Sequence, residues 1–178
     1  MIAKAPVEFR RLNETRRTIP LAAWACPSRF RRRPRRVGRP AGRTYSRIVD
    51  LPDELVELLR QPSLCFVTTL MPDGSPQMTE VWVDTDGRNI IVNTVRGFQK
   101  VRNVERDPRV ALAVASPQRP SRYIAVRGRV LDLTEVGGAE HIEKLAQKYL
   151  GGPYPWFGGR DQVRVIMTIG AEKISSQG

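Results

Sequence analysis

Short runs of β-branched and aromatic residues dominate the pattern of hydrophobic positions from residue 63 onward. Runs of this composition and length are typical of β-strands. Two pairs, Asp73-Gly74 and Asp86-Gly87, separate the first three runs and supply the positive φ that a tight hairpin needs. These runs are therefore predicted to form an antiparallel meander. The predicted strands are Ser63–Leu70, Gln77–Thr85, Asn89–Thr94, Arg109–Ser116, Arg122–Leu133 and Gln162–Gly170, with a further short strand at Glu172–Ser175.

Three segments space their apolar residues three or four positions apart, as an amphipathic helix requires. They are residues 53–61, residues 97–106, and residues 135–150 with Thr134 and Glu135 as the cap. Gly128 interrupts the fifth strand run, which predicts a bulge or a bend there. About six strands with three marginal helices favour a small closed or split barrel, because closure hides the sheet edges. The predicted fold class is mainly β with flanking α.

The positive charge of the chain is concentrated in one segment. The 178 residues have a formal net charge of +12, and residues 1–47 hold 14 Lys and Arg against 2 Asp and Glu. Residues 48–178 hold 16 basic and 16 acidic residues and are neutral. We therefore predict a basic N-terminal arm over residues 1–47 and a folded domain over residues 48–178. The arm is predicted to be disordered, since its like charges repel and it has few apolar side chains to bury.

The arm admits three interpretations, namely a solvated tail, a contact to nucleic acid or another anionic surface, and a targeting peptide. A nucleic-acid partner is supported by the arm alone, because the domain is neutral. Cys26 and Cys65 lie in unrelated contexts, which predicts neither a disulfide nor a metal site and favours a reducing, cytoplasmic location. No apolar run of about 18 residues occurs, so no membrane partner is expected.

The stretch from Asn89 to Val104 carries the clearest candidate chemistry. An apolar run ends in a polar turn with Arg96 and Lys100, and a short helical pattern follows. Guanidinium and ammonium groups would converge there with unpaired backbone N–H groups, which is a favourable arrangement for an anion. We interpret the stretch as the site that binds the phosphate of a flavin-type cofactor. The alternative is that both residues are solvated charges on a loop.

Several motifs occur in an order typical of one known superfamily. They are D-G-x-P (Asp73, Gly74, Pro76), N-T-x-R-x-x-x-K-x-x-N (Asn93, Thr94, Arg96, Lys100, Asn103), D-P-R-V (Asp107 to Val110), a G-x-V in the fifth strand, and P-Y-P-W (Pro153 to Trp156). Together they resemble the pyridoxamine 5'-phosphate oxidase-like FMN-binding split β-barrel superfamily, and more closely its branch that uses the deazaflavin coenzyme F420. The likeness covers about residues 48–175.

The resemblance implies a six-stranded antiparallel split barrel that forms a homodimer, with the cofactor in a groove at the dimer interface. Lys100 would hold the cofactor phosphate, with Thr94 and Arg96 nearby, and the second strand would run along the ring system. Many relatives carry an arginine two positions before the lysine, where this chain has Phe98. The implied cofactor-binding residues are Gln77, Met78, Thr79, Glu80, Val81, Trp82, Asn93, Thr94, Arg96, Lys100 and Asn103, and the implied substrate or lid residues are Tyr154, Trp156 and Phe157.

The implied activity is hydride transfer between coenzyme F420 and a conjugated small molecule such as an enone, a quinone, a nitro compound or a tetrapyrrole-like acceptor. FMN is the alternative cofactor, and a non-catalytic carrier of a flavin-like or haem-like ligand is the alternative role. Because hydride transfer is the cofactor's own chemistry, no catalytic residue is assigned. Trp82 is predicted to pack in a dimer interface. His141, the single histidine, is predicted to lie on the surface without a partner.

Overall fold

The computed structural model describes residues 47–177. The predictions for residues 1–46, and for Cys26 among them, lie outside the described residues. No helix in the described part of the chain is long and apolar enough to cross a membrane.

The described residues form a mainly β domain with three flanking helices, which confirms the predicted fold class. Every strand pair is antiparallel. The strands are β1 (Leu64–Leu70), β2 (Pro76–Glu80), β3 (Val83–Thr85), β4 (Ile90–Val95), β5 (Arg109–Ala115), β6 (Tyr123–Thr134) and β7 (Arg164–Gln177). The helices are α1 (Asp53–Arg60), α2 (Gln99–Arg106) and α3 (Gly138–Leu150).

The sheet has seven strands in the order β2-β1-β5-β6-β7-β4-β3, so the predicted count of six is wrong. The predicted strand Gln77–Thr85 divides at Val81 and Trp82 into β2, which pairs with β1, and β3, which pairs with β4. These two strands are opposite edges of the sheet, yet only two residues join them. Three residue steps span at most about 11 Å, so the sheet must curl until its edges approach each other. The result is a half-barrel, consistent with the predicted split barrel.

The longest strand pair, β6 with β7, contains a bulge at Gly128, as predicted from the position of this glycine in the strand. The pairing register shifts between Arg127 and Gly128. A Cβ at Gly128 would lie 2.2 Å from the carbonyl oxygen of Gly170, so only glycine allows the backbones to approach this closely. Strand β7 runs unbroken to Gln177, and the prediction of a separate short strand at Glu172–Ser175 is therefore wrong.

Helix α3 begins three residues later than predicted. Strand β6 continues to Thr134, whose hydroxyl accepts a hydrogen bond from the backbone N–H of Val136 at 3.1 Å instead of capping a helix at residue 135. Gly137 then takes a left-handed conformation with φ of 74°, and Gly138 opens the helix. A Cβ at Gly138 would lie 2.4 Å from the carbonyl oxygen of Arg164. The two glycines therefore let the start of α3 rest directly on the backbone of β7.

The core fills the inside of the curled sheet. Its buried side chains come from every strand except β2 and from α1, where Leu55 and Leu59 are inaccessible to solvent. Helix α1 packs against β3 and β5, whereas α3 packs against β7 and β4. The end of β4 and the start of β7 thus lie beside α3, and a cavity forms there.

Candidate functional site

A cavity of about 410 Å³ lies where the β2–β3 crossover, the end of β4, α2, α3 and the start of β7 meet. The size is within the range of pockets that bind small molecules, roughly 300 to 1,000 Å³. It is lined by Glu80, Val81, Trp82, Asn93, Thr94, Val95, Phe98, Lys100, Ile142, Tyr154, Phe157 and Arg164.

Two cationic side chains in this lining, Lys100 and Arg164, are largely withdrawn from solvent. Burial, together with the nearby charge of Arg164, lowers the pKa of Lys100. Burial likewise lowers the pKa of Arg164, of which 9% is exposed. Within residues 47–177 neither cation forms an ion pair, although the exposed Glu80 contributes to the same lining. One buried and one half-buried charge of the same sign, without a bonded carboxylate, favour an anionic ligand.

The first turn of α2 increases the positive potential around Lys100. This turn contains no acidic residue, and Phe98 at the cap position offers no side-chain hydrogen bond. A helix N-terminus carries a partial positive charge, so a lysine there is unfavourable unless an anion compensates it. Thr94 adds a polar group, because its hydroxyl is buried in the cavity wall without a hydrogen-bond partner in the described part of the chain. Buried hydroxyls are normally satisfied, which makes Thr94 a candidate ligand donor.

A chain of polar contacts holds Arg164 from behind the cavity. Its Nε donates to Oδ1 of Asn93 at 2.7 Å. Asn93 Nδ2 donates to the carbonyl oxygen of Gly138 at 2.8 Å and lies 3.2 Å from Nδ1 of His141. On the other side of the imidazole, Nε2 lies 3.6 Å from Oδ2 of Asp84. Strands β3, β4 and β7 each contribute one residue to this chain of contacts, and helix α3 contributes two, Gly138 and His141.

The prediction that His141 lies on the surface without a partner is wrong, since its side chain is 11% exposed and sits between Asp84 and Asn93. One signal in the sequence pointed the other way. His141 lies one helical turn before Leu145, which is fully buried, so it belongs to the packed side of α3. Its actual partners are 57 and 48 residues away in sequence, and only the tertiary fold brings them together.

Asp84 anchors α3 to the sheet. Burial alone would raise its pKa, but the adjacent imidazole of His141, the hydrogen bond from Lys144 and the charge of Lys148 hold the pKa well below the ordinary value. Lys144 Nζ lies 2.7 Å from Oδ2 and Lys148 Nζ lies 3.5 Å from Oδ1. Lys148 also donates to the carbonyl oxygens of Leu59 and Val83. None of these four residues, Asp84, His141, Lys144 and Lys148, lines the cavity, so they hold α3 against the sheet from behind it.

Aromatic rings form another part of the cavity lining. Trp82 stacks on Tyr149 with ring centroids 5.1 Å apart and an angle of 9° between the planes. The edge of Tyr154 meets Trp82 at 5.9 Å, and the Tyr154 ring lies 5.3 Å from the guanidinium carbon of Arg164. Trp82 therefore has packing partners within its own chain. Its predicted place in a dimer interface stays a prediction.

The loop between α3 and β7 is fixed by one carboxylate. Glu143 accepts hydrogen bonds from the backbone N–H of Tyr154 at 2.8 Å and from Nε1 of Trp156 at 3.1 Å. Phe157 follows at the cavity mouth and is 76% exposed. The loop thus presents two aromatic side chains, Tyr154 and Phe157, to whatever occupies the cavity.

Eight of the fourteen residues predicted for the site line this cavity. The eight are Glu80, Val81, Trp82, Asn93, Thr94, Lys100, Tyr154 and Phe157; the six outside its lining are Gln77, Met78, Thr79, Arg96, Asn103 and Trp156.

Arg96 and Asn103 have partners elsewhere. Arg96 forms ion pairs with Glu105 at 2.8 Å and Glu135 at 2.7 Å, so its guanidinium is already neutralised near the surface. Asn103 is fully buried and donates to the hydroxyl of Thr69 at 3.0 Å.

Strand β2 contributes less to the cavity than predicted. Gln77 accepts a hydrogen bond from Thr69 at 2.9 Å, and Met78 is 64% exposed. Thr79 has a buried hydroxyl without a partner in the described residues, yet it is not among the lining residues. The segment reaches the cavity only at its end, through Glu80 and the crossover that follows.

Arg164 is the functional candidate that sequence reasoning missed. It stands at the start of an otherwise apolar strand, QVRVIMTIG, and a lone arginine in such a run was the available signal. It supplies a second cation beside Lys100 in the cavity lining.

The family model for pyridoxamine 5'-phosphate oxidase matches residues 51–177 of the chain. The chain belongs to the pyridoxamine 5'-phosphate oxidase family. The match begins just before α1 and ends at the last residue of β7, so it spans the whole half-barrel of this family member. No curated protein matches the chain significantly.

Solved structures agree with this family membership. An F420 reductase is 31% identical, with a TM-score of 0.62, and the match covers 70% of this chain and 98% of that chain. The conserved hypothetical protein Rv2991 of Mycobacterium tuberculosis is 26% identical, with a TM-score of 0.58 and coverage of 75% and 89%. A Listeria innocua protein assigned provisionally to the pyridoxamine 5'-phosphate oxidases is 20% identical, with a TM-score of 0.54 and coverage of 70% and 95%, and shows the fold alone.

Proposed function

We propose that this protein is an oxidoreductase that binds coenzyme F420 and transfers a hydride between it and a conjugated small-molecule acceptor. The observation that carries the proposal is the pair of cations, half-buried Lys100 and buried Arg164, that share one cavity with aromatic side chains and have no ion-pair partner among residues 47–177. The similarity to an F420 reductase at 31% identity supports the same assignment.

The residues present fit a cofactor that joins an anionic group to a ring system. Lys100 and Arg164 offer cationic donors, and the Thr94 hydroxyl offers a further hydrogen bond. Charge-assisted hydrogen bonds of this kind are about twice as strong as neutral ones. Trp82 and Tyr154 provide apolar surface against which a planar ring can pack. A deazaflavin supplies hydride transfer when bound, and the chain supplies placement, charge compensation and exclusion of water.

The loop between α3 and β7, which carries the aromatic residues, provides a binding surface for the acceptor. Tyr154 and Phe157 line the cavity at its mouth, and Glu143 holds the loop to α3. Two rigid aromatic side chains suit a flat conjugated molecule better than a polar one, because they offer large apolar contact at low entropic cost. We assign these residues to substrate contact and to shielding of the reacting atoms from water.

The proposed enzyme is a homodimer with its cofactor groove between the two copies. Phe98 and Phe157 line the cavity yet are 46% and 76% exposed, and Met78 is 64% exposed. Exposed apolar groups around a binding site favour contact with another protein surface. Sedimentation analysis of the full chain is expected to give a dimer. A monomer that binds the cofactor with full affinity would refute this part of the proposal.

FMN is the second candidate cofactor, favoured by the family model, which is that of pyridoxamine 5'-phosphate oxidase. The test is titration of the full chain with coenzyme F420 and with FMN, followed by fluorescence. Saturable binding of coenzyme F420 with weaker binding of FMN supports the first choice, and tight FMN binding without F420 binding overturns it. Binding of either cofactor without reduction of any conjugated acceptor would indicate a carrier and refute the enzymatic role.

A further inference from the structure

Arg164 owes its position in the cavity wall to hydrogen bonding through Asn93. The guanidinium is nearly buried, its Nε donates to Asn93 Oδ1 at 2.7 Å, and one face lies against the Tyr154 ring. No carboxylate forms an ion pair with it in the described part of the chain. The Tyr154 side chain holds the guanidinium on another side, and the position of its Nε edge depends on which atom of the Asn93 amide faces it.

The orientation of the Asn93 amide follows from its two unambiguous neighbours. The carbonyl oxygen of Gly138 can only accept, and Nε of Arg164 can only donate. Nδ2 must therefore face Gly138, and Oδ1 must face Arg164. The second hydrogen of Nδ2 is left for Nδ1 of His141 at 3.2 Å.

This geometry requires one tautomer of His141. Nδ1 faces a donor, so it must be an unprotonated acceptor, and the ring proton lies on Nε2, 3.6 Å from the carboxylate of Asp84. Protonation of Nδ1 would place two N–H groups against each other. Turning the amide does not resolve the conflict, because its NH₂ group would then face Nε of Arg164 and its oxygen would face the Gly138 carbonyl.

We propose that neutral His141 is a positioning residue that fixes Asn93 and through it Arg164, and that protonation of His141 releases Arg164 from its anion-binding position. This inference rests on the proposed anion site and adds regulation by pH to it. Imidazole is the side chain whose charge ordinarily changes between pH 5 and 8.

Charged groups face His141 from three elements. Asp84 on β3 faces Nε2, and Lys144 and Lys148 on α3 surround the same carboxylate. Arg164 on β7 lies beyond Asn93. A purely electrostatic effect of His141 protonation would strengthen anion binding, whereas loss of the Arg164 hydrogen bond would weaken it. The two mechanisms therefore predict opposite signs.

The deciding experiment follows the arginine Nε–H resonances of the full chain by ¹⁵N NMR from pH 8 to pH 5.5. The chain has a single histidine, so its imidazole titration is assigned without ambiguity. The Arg164 signal, identified by its loss in Arg164→Lys, is expected to broaden or exchange faster with the same midpoint as the His141 ring. His141→Gln keeps a neutral acceptor and should leave the Arg164 signal independent of pH. An Arg164 signal that is unchanged across the His141 titration, or that changes equally in His141→Gln, overturns the proposal.

A second measurement tests the consequence with sulfate, an anion whose charge is constant over this pH range. Sulfate affinity of the wild type should fall roughly 2-fold to 12-fold, the range of one hydrogen bond, between pH 8 and pH 5.5. The same affinity should stay constant in His141→Gln. Tighter binding at pH 5.5, or no sulfate binding at pH 8, would overturn the role of Arg164 as an anion contact. A different result would refute the proposed function alone. In that case neither F420 nor FMN binds at any pH, while the Arg164 signal still follows the titration of His141.

Discussion

Replacement of Lys100 by methionine should move cofactor affinity and protein stability in opposite directions. Methionine keeps the aliphatic stem and removes the charge, and with it the contact of the ammonium group over the Phe98 ring at 5.6 Å. One charge-assisted hydrogen bond to a phosphate contributes about 1.5 to 3 kcal/mol. Loss of this contact should raise the dissociation constant for coenzyme F420 about 10-fold to 150-fold.

The stability of the cofactor-free protein should rise in the same variant. Lys100 lies in the first turn of α2, where a positive charge costs about 0.3 to 1 kcal/mol against the helix dipole. Burial and the charge of Arg164 add to this cost, as the lowered pKa of Lys100 shows. Because that pKa is lowered in the folded state, the destabilisation is present at neutral pH, begins to fall as pH rises through the folded value, and is lost above the unfolded value. The free energy of unfolding is therefore expected to increase by up to about 1 kcal/mol.

Urea denaturation without cofactor and fluorescence titration with cofactor measure the two effects separately. The matched control is Arg88→Ala, which removes the same charge from the exposed β3–β4 turn and should change neither quantity appreciably. A Lys100→Met protein that loses stability while it retains full cofactor affinity would refute the anion role of Lys100. A protein that loses both would mean that the lysine is structural.

Three further variants test the surroundings of the cavity. Asp84→Asn should lower the free energy of unfolding by about 2 kcal/mol, since it weakens hydrogen bonds to a buried carboxylate, and exposed Asp132→Asn is the control. The pKa of Asp84 is lowered on folding, so its stabilisation is present above about pH 4 and should be lost progressively at lower pH in denaturation curves of the wild type only. Arg96→Ala should leave cofactor affinity within about 2-fold, because its exposed ion pairs contribute little; a loss as large as that expected for removal of a phosphate contact would place Arg96 in the site. Gly138→Ala should destabilise by about 1 to 3 kcal/mol, as its Cβ would meet β7 backbone at 2.4 Å, whereas Gly152→Ala, with nothing within 4 Å, should not; equal thermal shifts would contradict the close approach.

The hairpins and the bulge were predictable from local sequence. Asp73-Gly74 and Asp86-Gly87 form turns in which each glycine has positive φ, and Gly128 lies at the register shift of the longest strand pair. These features depend on the conformational freedom of single glycines, and the flanking sequence shows where such a glycine falls between two strands. The positive potential around Lys100 was predictable for a similar reason. A cation at a helix N-terminus adds to the partial positive charge of that terminus, whatever the helix packs against.

The remainder was decided by the tertiary fold. Alternate side chains of residues 77–85 are assigned to two faces, as in one continuous strand. Only closure of the sheet forces the chain to cross from one edge to the other at Val81 and Trp82. Arg164 and His141 looked ordinary in sequence because their partners lie on other elements, more than forty residues away. Because both side chains are withdrawn from water, their polar atoms need hydrogen-bond partners within the protein, and Asn93 is the partner that they share. Sequence by itself determined which segments become strands, turns and helices, whereas the curl of the sheet decided which polar groups leave water together, and with them the shape and charge of the candidate site.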